Sequence, residues 1–121
     1  MRKKRQSTPV AQADRQFVLA AAARLFREQG YERTTVKEIA NACDMLPGSL
    51  HYRYQAKEDL LVDLMCLGLE QASAAVSSAV VGVSDPAEQL RRGINAHLQL
   101  LVSGSDMVYV LLFEWRSLRG A

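Results

Sequence analysis

Thr34-Thr35-Val36-Lys37-Glu38-Ile39-Ala40, followed by Pro47-Gly48-Ser49-Leu50-His51-Tyr52, is the stretch whose reading decides the fold. Thr35 and Glu38 stand at capping-box spacing, where each side chain satisfies a backbone N–H of the first turn, so a helix opens at Thr35. Val36, Ile39, Ala40 and Cys43 give that helix a short apolar face. Asp44 is the turn residue, since aspartate tolerates left-handed backbone better than most non-glycines. Pro47 suits the first position of the next helix, which runs to about Tyr52. A small side chain at Ala40 lets this helix cross closely, and Leu50 is the buried plug between the two. Two short helices joined by a tight turn, the second lined with hydrogen-bonding side chains, have the shape of a helix-turn-helix that reads the major groove of DNA.

Working outward, Val18, Ala22, Leu25 and Phe26 recur on one face and predict a helix over about Ala11–Gln29, ended by Gly30. Downstream, Leu60, Leu61, Leu64, Leu67 and Ala72 line a long helix from Lys57 to about Val80, some 35 Å at about 1.5 Å per residue. Gly82 and Ser84 form a loop, and Asp85-Pro86-Ala87-Glu88 then reads as an N-cap, an N1 proline and a capping glutamate. The fifth helix covers about Pro86–Val102. After Ser103-Gly104-Ser105, a sixth runs about Asp106–Leu118 and is apolar nearly all round, the mark of burial on most sides. A strand over Met107–Phe113 would have no second strand to pair with. The fold class is all-α: a basic arm over 1–10, expected to be disordered, a three-helix head over 11–56, and a partial antiparallel helical body over 57–121 that opens with the connecting helix.

The 121 residues are 49% hydrophobic and 23% charged, a globular composition. Net charge is only +2, but residues 1–60 carry 11 Lys and Arg against 7 Asp and Glu, while residues 61–121 carry 4 against 6. The basic half suggests that one end meets a polyanion. No apolar run reaches the roughly 18 residues of a membrane span. The basic start leads into polar residues rather than the apolar core of a signal peptide, so a cytoplasmic protein with no membrane partner is expected. Cys43 and Cys66 lack Cys or His neighbours at metal spacing and read as reduced core thiols, with a redox sensor as the alternative. No nucleophile–base set, phosphate-binding loop or dinucleotide motif supports an enzyme, and no metal or cofactor is expected.

The order and spacing of Ala21-Ala22, Leu25-Phe26, Gly30-Tyr31, Thr34-Thr35-Val36, Ile39-Ala40, Gly48-Ser49-Leu50, Tyr52, Tyr54 and Lys57-Glu58-Asp59-Leu60-Leu61 resemble the DNA-binding head of the TetR family of bacterial transcriptional regulators. The resemblance covers residues 11–64. It implies that the start of the third helix faces base edges, making Pro47, Gly48, Ser49 and His51 the base-edge candidates. It implies that Tyr52 meets a backbone phosphate, with Lys57 beside it at the start of the long helix, where ammonium and helix N-terminus both favour an anion. Thr34 and Thr35 cap the second helix and touch phosphate, and Arg53 reaches toward the backbone. Arg2, Lys3, Lys4 and Arg5 track the minor groove or add affinity by counterion release. Against each stands a plain structural alternative: a solvated side chain for His51, Arg53 and Lys57, a core ring for Tyr52, capping alone for the threonines, and a solubilising tail for the arm.

This chain also departs from the family pattern. Asp44 stands where glycine is usual, Leu46 and Ala56 where a serine cap is frequent, and His51 where tyrosine is common. Each missing cap costs about 1 kcal/mol. The family's body implies a homodimer, a double-stranded palindromic operator, and release by a small effector bound among helices four to eight. Met65, Leu69, His97, Leu101, Met107, Val108, Leu111 and Trp115 are the candidate pocket walls, each with core packing as its alternative. The tail Phe113-Glu114-Trp115-Arg116-Ser117-Leu118 hints at a hydrophobic or acyl-CoA-like effector. Family members run longer than this chain, so the apolar sixth helix is expected to expose a patch that a missing surface would cover. The rival reading is a helical protein–protein module without DNA binding.

Overall fold

A computed structural model describes residues 9–119. Among them the order is α1 (Pro9–Gln29), α2 (Val36–Ala42), α3 (Pro47–Arg53), α4 (Lys57–Val80), α5 (Pro86–Val102) and α6 (Asp106–Phe113), then a 3-10 turn, Trp115–Ser117. Arg2, Lys3, Lys4 and Arg5, the proposed arm, lie outside the described residues.

Local chemistry sets the boundaries. Gly30 closes α1 at φ +86° and Gly104 precedes α6 at φ +73°, values that only glycine adopts freely. At the start of α2 the Glu38 N–H donates to Thr35 Oγ1 (3.1 Å), and the Thr35 N–H donates to Glu38 Oε2 (2.9 Å). Leu46 and Ala56 begin α3 and α4 with no side-chain cap of their own. The Ala56 N–H is instead met by Asp59 Oδ2 at 3.0 Å. Asp85 caps α5, accepting from the Glu88 N–H. The Glu88 carboxylate, expected to cap in return, turns outward to Arg91 and Arg92, and their hydrogen bonds hold its pKa down to about 2.

One apolar core joins the head to the body. Val18, Leu19, Ala22 and Phe26 of α1 meet Ile39 and Ala40 of α2, Leu50 of α3, Leu60, Leu61, Leu64 and Leu67 of α4, and Val110 of α6. Helix α4 is also long and apolar enough to pass a test for crossing a membrane, with a mean hydropathy of 1.4 over its best window. The sequence reading missed this because charges interrupt the run. In this structure α4 packs against α1, α5 and α6, with 33% of that window buried.

The expected apolar patch on α6 is present at its end, where Leu112 and Phe113 are exposed, and a second lies on α5. Helix α6 ends at Phe113, short of Leu118, and docks on α1 and α4, burying Val108 and Val110. Its approach to α4 is close: a Cβ built on Gly68 would lie 2.7 Å from Leu111 Cδ1. Arg27 of α1 fastens its start, donating to the Gly104 carbonyl (2.7 Å) and Asp106 Oδ1 (3.0 Å). Helix α5 folds back on the end of α4 and buries no residue fully, leaving Leu90, Ile94, Leu98 and Leu101 exposed.

Candidate nucleic-acid interface

The turn between α2 and α3 aims the site. Asp44 adopts φ +54°, the left-handed geometry expected of it. The Asp44 N–H bonds to the Asn41 carbonyl (3.2 Å) and the Met45 N–H to the Ala40 carbonyl (2.9 Å), closing α2 with a Schellman motif. Ala40 and Leu50 are both fully buried, so α3 crosses α2 with its leucine as the plug. Cys43 is buried beside them, and burial pushes its thiol pKa up, as suits an inert core thiol. Cys66, expected to be a core thiol as well, is exposed.

Around the buried Leu50, the rest of α3 faces solvent. Gly48, Ser49, His51, Tyr52 and Arg53 are exposed and Pro47 is half-buried. Tyr52 is 85% exposed, so its ring is no part of the core and its hydroxyl is available to a partner. Arg53 lies 3.8 Å from the Asp14 carboxylate. Thr35 stays exposed, and a hydroxyl that accepts the cap bond still has its proton to donate.

Two expected phosphate contacts are redirected inward. Thr34 is 1% exposed, and its hydroxyl donates to the Gly30 carbonyl (2.8 Å) and accepts from Gln29 Nε2 (3.2 Å). It pins the α1–α2 connection and cannot reach a duplex. Lys57 is half-buried: its ammonium donates to the Tyr31 carbonyl (2.7 Å) and lies 4.1 Å from the Tyr31 ring centroid. The free lysine expected at the start of α4 is therefore tied to the same connection, where a carbonyl and a ring face both attract a cation. Sequence reading passed over Arg33, just before the capping box, and Lys37, within it, both exposed. Basic residues beside a helix start were the signal for them. It also passed over the side chain of Leu46, 76% exposed at the tip of α3.

A polar network fixes this surface to the body. Arg15 on α1 forks onto Asp63 of α4, with Nη2 at 2.6 Å and Nε at 3.1 Å, and the Tyr54 hydroxyl donates to Asp63 Oδ2 at 2.5 Å. Tyr54 is the residue that ends α3. The Arg15 hydrogen bonds hold the Asp63 carboxyl below the usual carboxylate range against the opposing effect of burial, with Tyr54 helping. Burial, then the Asp63 carboxylate, pushes the Tyr54 phenol well up.

The expected effector walls do not converge on one cavity. Met65 and Met107 pack against the core, Val108 is buried, and Leu111 is half-buried over Gly68. These four positions are taken up by direct packing of α6 onto its neighbours. Leu69, Leu101 and Trp115 are exposed. Only His97 lines the main groove, an open apolar trough of about 680 Å³ between α4 and α5 formed with Val76, Val80, Leu90, Ile94 and Leu98. Among the described residues, no group of three or more His, Cys, Asp or Glu is placed to hold a metal.

Comparison with known proteins matches residues 18–64 to a family model described as bacterial regulatory proteins, tetR family. The HTH-type transcriptional repressor KstR2 of Mycobacterium tuberculosis is 32% identical over 74 residues, which is 61% of this chain and 37% of that protein. Among solved structures, AibR in complex with isovaleryl coenzyme A and operator DNA superposes with a TM-score of 0.77 at 35% identity, covering 88% of this chain and 58% of AibR. The superantigen PfiT superposes at 0.80 with 32% identity, covering 88% of this chain and 57% of its own. The chain thus spans well under two thirds of each of these proteins.

Proposed function

This chain belongs, through residues 18–64, to the tetR family of bacterial regulatory proteins, and from that premise we propose that it is a ligand-responsive transcriptional repressor. It binds a palindromic operator as a homodimer in the cytoplasm and is released by a small hydrophobic or acyl-CoA-like effector. The observation that carries the DNA-binding part is the arc of α3. Ser49, His51 and Tyr52 face solvent side by side while Leu50 between them is fully buried, so a rigid core presents polar side chains outward. Ser49 can donate or accept, and the His51 imidazole does either according to tautomer, so both suit base edges. Tyr52, Thr35, Arg33, Lys37 and Arg53 supply donors for the strands.

A dimer follows from the size of one such helix, which buries too little for tight specific binding on its own. For the effector, support comes from the isovaleryl coenzyme A held by AibR and from the apolar trough of about 680 Å³ between α4 and α5. An effector seated there touches α4, whose Asp63 holds the end of α3 through Tyr54. That gives it a physical route to the DNA-facing surface.

The test is fluorescence anisotropy on duplex DNA over a salt series. The log of the binding constant should fall linearly with the log of salt, with a slope of several units. Tyr52→Ala should weaken all duplexes alike, whereas Ser49→Ala and His51→Ala should change the preference between sequences. A flat salt dependence would favour the rival helical protein–protein module. The likeness to PfiT keeps that rival in view, because fold alone does not fix function.

A further inference from the structure

Leu46 occupies a place where its side chain does nothing for the fold. It is the N-cap of α3, with φ −69° and ψ 136°, and it makes no side-chain cap hydrogen bond. Serine, threonine, aspartate and asparagine are favoured there because their side chains satisfy a free N–H of the first turn. Leucine forgoes that bond and leaves 76% of its surface in water, while Met45 before it packs against the core and Leu50 after it is fully buried. The cap is lost and the apolar side chain is not buried, at the very tip of the helix that the DNA-binding reading points at a groove.

Resting on that reading, we infer that Leu46 is a specificity-determining residue that reads the 5-methyl group of a thymine in the operator. A recognition helix enters the major groove with its N-terminal residues against the base edges, and Leu46 stands at that end. The thymine methyl is the apolar feature of the natural base edges in that groove, and an aliphatic side chain is its ordinary partner. The neighbours leave the approach open: a Cβ built on Gly48 meets nothing within 4 Å, and Ser49 is exposed beside it. Contact with the methyl would cover apolar surface that the free protein leaves wet.

The test begins with selection of duplexes from a random pool by the full chain. Each thymine of the selected duplex is then replaced, one at a time, by deoxyuridine, which keeps the pairing edge and lacks only the methyl. The wild-type chain should lose about fourfold in affinity at one thymine of each recognised half, the worth of one buried methyl. Leu46→Ser should bind thymine and uracil duplexes alike at that position. It should also melt at a higher temperature than the wild type, since serine restores the cap, which separates loss of a contact from loss of the fold. An enriched duplex that lacks thymine or is indifferent to uracil, or a Leu46→Ser chain that keeps the full penalty, overturns the inference while leaving the DNA-binding reading intact. A pool that enriches no sequence overturns both.

Discussion

Removing one oxygen from Tyr54 tests how the head is fastened to α4. Tyr54→Phe keeps the ring, which is buried, and deletes only the hydroxyl that donates to Asp63. A hydrogen bond to a charged group contributes about 1.5–3 kcal/mol. Asp63 retains its fork to Arg15, and both side chains keep some water, at 31% and 27% exposed, so the lower end applies. The expected loss is about 1.5 kcal/mol, or about 6 °C in Tm for a chain of this size. Asp63→Asn goes further by removing the charge that Arg15 faces, and should cost about 2 kcal/mol at pH 7.

The sign of its pH dependence follows from the carboxyl's lowered pKa. A carboxylate held below its ordinary value stabilises the fold fully above the unfolded pKa, about 4, and loses that contribution as pH falls through the folded value. The gap between wild type and Asp63→Asn should therefore be constant from pH 7 to about 5 and narrow below about 4. Urea denaturation followed by circular dichroism at several pH values measures it. A Tyr54→Phe chain as stable as the wild type, or an Asp63→Asn gap unchanged down to pH 3, would refute the network as a structural tie.

Two further substitutions probe the placements that differ from expectation. Gly68→Val drives a branched side chain into Leu111, which a Cβ alone would approach to 2.7 Å, and should cost about 1–3 kcal/mol by urea denaturation. Thr34→Val keeps the shape but leaves the Gly30 carbonyl without its hydroxyl donor. It should cost about 1–2 kcal/mol in stability, with the salt slope of DNA binding unchanged, because Thr34 faces the interior.

What the sequence reveals about this fold is its short-range chemistry. The Thr35–Glu38 box, left-handed Asp44, Gly30 at the end of α1, and the prolines at the first positions of α3 and α5 each involve residues within about one helical turn. Composition and spacing suffice for such features. The missing caps at Leu46 and Ala56 are legible for the same reason. What escapes is the choice of partner across the chain. Thr34 and Thr35 are chemically alike, and only the direction of the α1–α2 connection sends one inward and the other out. Lys57 reads as a free cation until the Tyr31 carbonyl, 26 positions earlier, is folded beneath it. The Arg15–Asp63–Tyr54 network joins three helices and has no signature within any of them. The apolar run of α6 likewise does not say which of its sides is covered: the structure buries Val108 and Val110 and leaves Leu112 and Phe113 exposed, as it leaves much of α5.

That difference also reshapes the effector reading. Leu111 packs over Gly68 where α6 meets α4, and the apolar trough between α4 and α5 becomes the place to look for a ligand. Of the residues first considered, His97 alone lines that trough and is the one to vary in effector titrations.

Everything functional rests on the exposed arc of α3 entering the major groove, and chemical footprinting of a selected duplex addresses that claim directly. Dimethyl sulfate methylates guanine at N7, which lies in the major groove, and adenine at N3, which lies in the minor groove. Bound protein should protect guanine N7 positions within each recognised half and leave adenine N3 there open to methylation, and Ser49→Ala with His51→Ala should erase the protection. Protection confined to adenine N3, or none while the duplex is saturated with protein, would contradict the account.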